Sequence, residues 1–378
     1  MSEVPNVEPA GRTRVVDLDF RTDARWDSFV CGHPNALVFH HSAWLRTLER
    51  EYEGSFLGLA CEDDRGRIQG VLPLATTRGL PLGFGGAGTH ARLSSLPRTP
   101  IAGPLATNEE VLAALVRAAV ERARARHVVL QLKPWGSELD GLVEELVGTP
   151  WRLTYVLDLP EMPDDLRFGT SRNHARIRWA VNKAARSGLS VRPAETERDL
   201  REWYALYLDV NRWRLHPSRP YRLFRAAWEL MRPLGLMRLL LAEAHDGSRA
   251  RVVAGSMLLM LGETVFYAFN GRVRESLPLR PNDLIQWHAI HDATRAGFRR
   301  YDFGEVAHVN LDLAAFKRKW GTHPHPLHRY YFPASPEGPA GYGVLESENL
   351  ARRLGTKAWR RVPLRVTAMV GDRVYRYL

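Results

Sequence analysis

The chain reads as an α/β protein of two lobes, each a mixed sheet flanked by helices, followed by a basic helical tail. Two observations predict this. Its 378 residues, 45% of them hydrophobic and 25% charged, are more than one compact core usually absorbs. In addition, one order of elements is legible twice: a helix, a strand–turn–strand unit, a second helix and a buried strand. The boundaries expected are 1–150 for the first lobe, 151–335 for the second, and 336–378 for a linker and the tail.

In the first pass, "HSAWLRTLEREYEG" has a helical period behind Ser42, the expected cap. "FLGLACEDDRGRIQGVLPLA" gives two apolar strands around a charged turn at Gly66. "PLGFGGAGTHARLSSLPRTPIAGP" is rich in Gly and Pro and reads as loop. "TNEEVLAALVRAAVERARARHVVLQL" gives an amphipathic helix, capped by Thr107 or Asn108, and then a buried strand. Between the lobes, "TSRNHARIRWAVNKAARSGLSVRP" is a helix capped by Thr170 or Ser171 and stopped at Gly188, with Arg172, Arg176, Lys183 and Arg186 on one face. In the second pass, residues 200–235 are helical in two pieces broken at Pro217. Strands follow around an Asp246-Gly247 turn, then a helix, a Gly297 stop and the strand "YDFGE". The shared order suggests one unit used twice, although residue identity between the copies is thin.

Composition excludes several classes. The two cysteines, Cys31 and Cys61, lie in no CxxC pair, which argues against a disulfide framework or a Cys-rich zinc site. Arg238 and Glu263 interrupt the longest apolar runs, and the polar N-terminus lacks the pattern of a signal peptide, so a cytoplasmic location is expected. The net charge of +11 comes from an excess of arginine, whose planar fork suits phosphates. RNA, a nucleotide-activated substrate, coenzyme A or an anionic membrane surface is the expected partner. Habitual use of Arg in place of Lys explains part of the excess.

The run "LPLRPNDLIQWHAIHDATRAGFRRYDFGEVAHVNLDLAAFKRKWGTHPHPLHRYYF" resembles the C-terminal half of the acetyltransferase-like domains grouped with the Fem aminoacyltransferases. These carry a proline before an "LLxWxxIxxAxxxG" helix, then "YDFG", then an aromatic–Lys pair leading to an aromatic–Gly step. The basic stretch 171–192 and "VFHHSAWLRTLE" are similar to further segments of the family. The resemblance spans roughly 35–378 and is most specific over 279–332. It implies two GNAT-like lobes with substrate in the cleft. It also implies transfer of an activated acyl group to an amine, from aminoacyl-tRNA in the Fem enzymes or from acyl-CoA in ordinary GNAT enzymes. The chain departs from the pattern twice. It has no sustained heptad stretch for the coiled-coil arm that Fem enzymes often carry, and "RVRESLPLRPNDLI" lacks the glycines that cradle a CoA pyrophosphate before a helix.

Lys317, in "LDLAAFKRKWGTHP", is the first catalytic candidate. In acyl transfer, negative charge grows on the carbonyl oxygen, and a cation held by packed neighbours, here Phe316 and Trp320, stabilises it better than mobile water. By the resemblance, Phe316 and Lys317 match the Fem Phe-Lys pair. A snorkelling surface lysine is the plainer alternative. Asp302 ends a buried strand, where it could organise the attacking amine or accept its proton, or else cap the following turn. Donor- or substrate-binding candidates are Arg172, Arg176 and Lys183 on the basic helix, and Arg212, Trp213 and Arg214 in "NRWRLHPSRP". Tyr267, Asn270, Asn282, Trp287, Trp44 and Arg46 complete the set. His323 and His325 share a strand face but have no clustered carboxylate, so no metal is expected. "GFGGAG" lacks a P-loop ending. The tail, with Arg352, Arg353, Lys357, Arg360 and Arg361 beside Trp359, is suited to packing across the N-terminal lobe or to touching an anionic membrane.

The function expected is an N-acyltransferase with no permanently bound cofactor, taking acyl-CoA or aminoacyl-tRNA as co-substrate. The acceptor would be an amine of a cell-wall, polysaccharide or secondary-metabolite precursor, with tRNA as a partner, peripheral contact with the inner face of the membrane, and no DNA. The alternative is an idle RNA- or nucleotide-binding module on the same fold.

Overall fold

The computed structural model describes residues 13–52, 54–77, 91–246, 249–333 and 359–376. The first unit opens with β1 (Arg14–Leu18), α1 (Ala24–Gly32) and α2 (Ser42–Glu49), followed by the hairpin β2 (Ser55–Glu62) and β3 (Ile68–Thr77). It continues through β4 (Arg92–Ser94), β5 (Leu105–Ala106), α3 (Glu109–Ala125) and β6 (Val129–Leu132). A long strand, β7 (Val147–Asp158), and α4 (Ser171–Arg186) come next. The second unit repeats the order with β8 (Leu189–Pro193), α5 (Glu197–Arg214), α6 (Tyr221–Leu230), β9 (Met237–Asp246), β10 (Arg249–Leu261), β11 (Thr264–Arg272), α7 (Pro281–Arg295) and β12 (Arg300–Val306). The chain then forms α8 (Leu311–Arg318), β13 (His323–Phe332) and α9 (Leu364–Tyr375).

Polar side chains start α1 to α5 and α8 by taking up orphan N–H groups. Asn108 accepts from Val111 N (2.9 Å) and Thr170 from Asn173 N (3.2 Å), which settles two of the alternatives. At α2 the cap is His41 rather than Ser42: His41 Nδ1 accepts from Ala43 N (3.1 Å), while Ser42 N donates to Asp27 (2.8 Å).

The two units share one sheet in the order β1-β2-β3-β4-β6-β13-β7-β12-β11-β10-β9-β8, with β5 on β3. Each unit holds one parallel pair, β4 with β6 and β11 with β12. Each also takes a strand from elsewhere in the chain. β7 follows the first unit in sequence but pairs with β12, whereas β13, near the end, pairs with β6. The boundary expected at residue 150 falls inside β7, and the antiparallel β13–β7 ribbon joins the units.

One core on one face of the sheet draws on both units, with Phe39 against Phe266 (4.8 Å between ring centroids). A buried ion pair, Arg219 Nε to Glu51 Oε1 (2.9 Å), also joins them. The tail helix α9 lies on α5, the turn after it and the first turn of α6, through Tyr375 to Pro217 O (3.4 Å) and an Arg222–Asp372 ion pair. The expected packing across the N-terminal lobe is replaced by this contact, although Arg98 of the first unit lies over the Tyr375 ring. The "GFGGAG" loop, the linker, and Arg352, Arg353 and Lys357 lie outside the described residues. Among the described residues, no helix is long and apolar enough to cross a membrane.

Candidate active site

β11 and β12 pair at three positions, Thr264↔Arg300, Val265↔Tyr301 and Phe266↔Asp302, and then part. Beyond that point β11 stays with β10, and β12 stays with β7 across a register shift between Asp302 and Glu305. Gly304, at φ 79°, makes the bulge, a conformation that suits glycine. Asp302 Oδ1 holds it, accepting from Gly304 N (2.6 Å) and Thr154 Oγ1 (2.6 Å). Backbone carbonyls released at such a gap need new donors. Lys317 Nζ supplies them, donating to Gly304 O (2.7 Å) and Glu305 O (3.3 Å).

Lys317 is 4% exposed. Burial lowers its ammonium to about 8, against the pull of Asp302 and Glu305, while Arg214 pushes it further down. Two of its three N–H bonds are engaged, leaving one donor beside the gap. Asp302 is 0% exposed, and its Oδ2 has no hydrogen-bond partner among the described residues. Burial raises its pKa above the ordinary carboxylate value, with Thr154, Gly304 and Lys317 opposing. This is the geometry of the turn cap: Asp302 shapes the bulge and offers no exposed oxygen to a substrate. Phe316 is half-buried beneath Lys319 Nζ (4.5 Å to the ring). Trp320 is buried against Phe168 (5.1 Å) and anchors the far end of the basic run.

The other expected residues distribute unevenly. Tyr267 and Asn270 lie on the free half of β11, with Asn270 Nδ2 donating to the Tyr267 hydroxyl (2.6 Å). Arg214 is exposed and within electrostatic reach of Lys317. Trp213 lies between Arg274 (3.6 Å) and Arg360 (4.7 Å), while Arg212 is spent on Asp209 and Val362 O. On α7, Trp287 packs on Phe168 (5.7 Å) and His291, with Asn282 half-buried in the first turn. Arg172 and Arg176 are exposed on α4, and Lys183 lies over Trp179. Trp44 is a core residue packed on Phe39 (5.6 Å), and Arg46 is exposed on α2. The structure thus gathers Lys317, Asp302, Tyr267 and Arg214 around the gap and removes Trp44 from it.

Sequence reasoning passed over the neighbours of Glu305. Its carboxylate accepts from Arg152 (2.8 Å) and Trp151 Nε1 (3.2 Å) and is paired with Arg329 (3.6 Å). These residues come from β7 and β13, strands that only the sheet order brings beside β12. Trp179, 52% exposed with Arg280 and Lys183 near its ring, was likewise passed over.

A helix N-terminus attracts anions, and α7 begins where an acyl-CoA pyrophosphate would be sought. Here the position is already provided for. Arg280 precedes the helix at φ 67°, Pro281 has no N–H, and buried Asp283 in the first turn is ion-paired with Lys319.

A family model described as an acetyltransferase (GNAT) domain matches residues 171–318. The segment from the start of α4 to the end of α8 is thus similar to a GNAT acetyltransferase domain. Solved structures agree on the fold of the GNAT domain and of the unit before it. FemX superposes with a TM-score of 0.63 at 16% identity, over 83% of this chain and 96% of its own. A conserved protein of unknown function from Bacteroides thetaiotaomicron gives 0.56 at 12% identity, over 85% and 99%. L-PGS from Bacillus licheniformis gives 0.51 at 12% identity, over 87% and 91%. No curated protein sequence matches the chain. The matched segment ends at Arg318, so the Phe316-Lys317 pair lies among its last three residues.

Proposed function

We propose that this protein transfers an acyl or aminoacyl group from an activated donor to an amine of a cell-wall, polysaccharide or secondary-metabolite precursor. The observation that carries the reading is Lys317, a buried ammonium fixed at the parting of two parallel strands with one N–H in reserve. The acceptor amine attacks the donor carbonyl carbon, a C–N bond forms, and the oxygen takes up negative charge that the remaining N–H meets. The carbonyl then re-forms as the C–O or C–S bond to the donor breaks, and the amine's proton leaves with the departing hydroxyl or thiol. Asp302 acts through Lys317 and the bulge as a positioning residue. Tyr267 and Asn270 orient the acyl group.

Two features favour aminoacyl-tRNA over acyl-CoA as the donor. Asp283 places the chain's own carboxylate at the helix start that a CoA pyrophosphate would need. In addition, α4 presents Arg172, Arg176 and Arg186 to solvent around an exposed indole, a surface suited to RNA phosphates and a stacking base. This reading puts the reaction on the cytoplasmic side of any membrane, where charged tRNA is available. Equilibrium binding to charged tRNA, uncharged tRNA and acetyl-CoA at about 0.15 M salt tests it, since low salt lets any basic protein hold RNA. Preference for charged over uncharged tRNA is expected. Tight acetyl-CoA binding with indifference to charging would reverse the donor assignment.

A further inference from the structure

A cleft of about 580 Å³ reaches the end of β11 and β12 opposite the Lys317 gap. β6 and β12 run in opposite directions, because three antiparallel pairings separate them, so the chain leaving β6 heads toward the start of β12. Trp135 and Glu138 of the first unit thereby line one opening with Thr264 and Arg300 of the second. None of the residues placed around the Lys317 gap lines it. From Arg300 to Gly304, β12 rises on the order of 13 Å.

The walls are fixed and carry both signs of charge. Two imidazoles pin the first unit's side: His33 Nε2 donates to Ala106 O (3.1 Å) and His40 Nε2 to Gly103 O (3.0 Å). Their Nδ1 atoms accept from Asn35 N (3.2 Å) and Leu37 N (3.1 Å), which holds the apolar lining at Leu37 and Ile101 in place. Glu138 is held as well, accepting from Trp135 N (3.0 Å) and Gly136 N (2.7 Å). Neither Glu138 nor Glu109, a second lining carboxylate at the start of α3, is paired with a cation among the described residues. Arg300 comes from the other unit, and its pair with Glu263 (3.4 Å) is exposed, a contact that contributes little. The half-buried Trp135 indole, 6.0 Å from the His325 ring, adds a surface that attracts ammonium groups and apolar bodies alike.

We propose that this cleft is a second binding site, which takes a zwitterion of the short-peptide class between the two units. Arg300 meets the carboxylate end, Glu138 and Glu109 meet the ammonium end, and Trp135 covers the body between them. The volume falls in the range usual for small-molecule sites, roughly 300–1,000 Å³. Guanidinium and fixed carboxylates recognise opposite charges through charge-assisted hydrogen bonds, so each end of the ligand has its own partner. The site does not depend on the acyl-transfer reading, because it shares no residue with the Lys317 gap.

The test is calorimetric titration of the full chain with leucyl-leucine, its N-acetyl derivative, its C-terminal amide and free leucine. Wild type, Arg300→Gln, Glu109→Gln/Glu138→Gln and Lys317→Met are compared. Leucyl-leucine is expected to bind with a Kd below about 1 mM and more tightly than leucine, and blocking either end should weaken it by about tenfold. In Arg300→Gln the amide should bind as well as the free dipeptide, and in the double glutamine variant the N-acetyl form should do so. Lys317→Met should match wild type. The two glutamates are exposed and Arg300 is partly so, which leaves the core of each variant intact. No binding of leucyl-leucine in that range, equal affinity for free and blocked forms, or leucine bound as tightly as the dipeptide would overturn the site. So would end-group penalties that survive in the variants, and weakened binding in Lys317→Met would move the ligand to the transfer gap instead.

Discussion

Lys317 Nζ lies 2.7 Å from the carbonyl oxygen of Gly304, which ties α8 to the bulge where β12 leaves β11. The sequence run of bulky and basic residues is explained by that contact. Trp320 is sunk in the core and Phe316 lies under Lys319, so the lysine between them is directed inward and not free to snorkel.

The ammonium has its pKa at about 8, so it is charged below that pH and loses its charge as pH rises through it. Turnover at saturating donor and acceptor should therefore fall on an alkaline limb near pH 8, and Lys317→Met should be slow and lack the limb. A pH–kcat profile of both proteins checks this.

Asp302 raises the Lys317 pKa through its charge. Asp302→Asn keeps an oxygen for Thr154 and Gly304 N but removes that charge. The alkaline limb should move to lower pH while the protein stays folded. A limb that stays in place would assign Asp302 a purely structural part.

Gly304 has room for a methyl group, with ordinary contacts to Tyr267 O and Lys317 Nζ, but its φ of 79° does not suit alanine. Gly304→Ala should cost about 1–2 kcal/mol of stability. It should also lower turnover, because the carbonyls that hold Lys317 shift. Urea unfolding and steady-state kinetics read the two effects separately.

The units of the fold were legible in the sequence because hydrophobic period and capping residues are local signals. Asn108, Thr170 and the break at Pro217 each correspond to an element end. Pairing between distant strands leaves no such signal. Nothing around residues 147–158 or 323–332 announces that β7 completes the second unit and β13 the first. For the same reason Lys317 and Asp302 could be found from one contiguous motif, whereas Arg152 and Arg329 could not. Trp44 shows the opposite limit: an aromatic beside basic residues looks like a ligand contact until its burial is known.

Glu51 and Arg219 form a buried pair that joins the turn after α2 of the first unit to the turn before α6. Arg219→Met leaves the Glu51 carboxylate buried without its partner and should cost about 3–5 kcal/mol. The double variant Arg219→Met/Glu51→Leu should recover most of that. Denaturant unfolding of the single and double variants measures the difference.

The most direct test of the account is single-turnover acyl transfer by Lys317→Met, with donor binding measured on the same preparation. The account predicts a rate lower by roughly 10²–10³-fold with donor affinity within a few-fold of wild type. Unchanged turnover, or a loss of affinity that accounts for the whole defect, would contradict it and point to a binding module that keeps the fold without the chemistry.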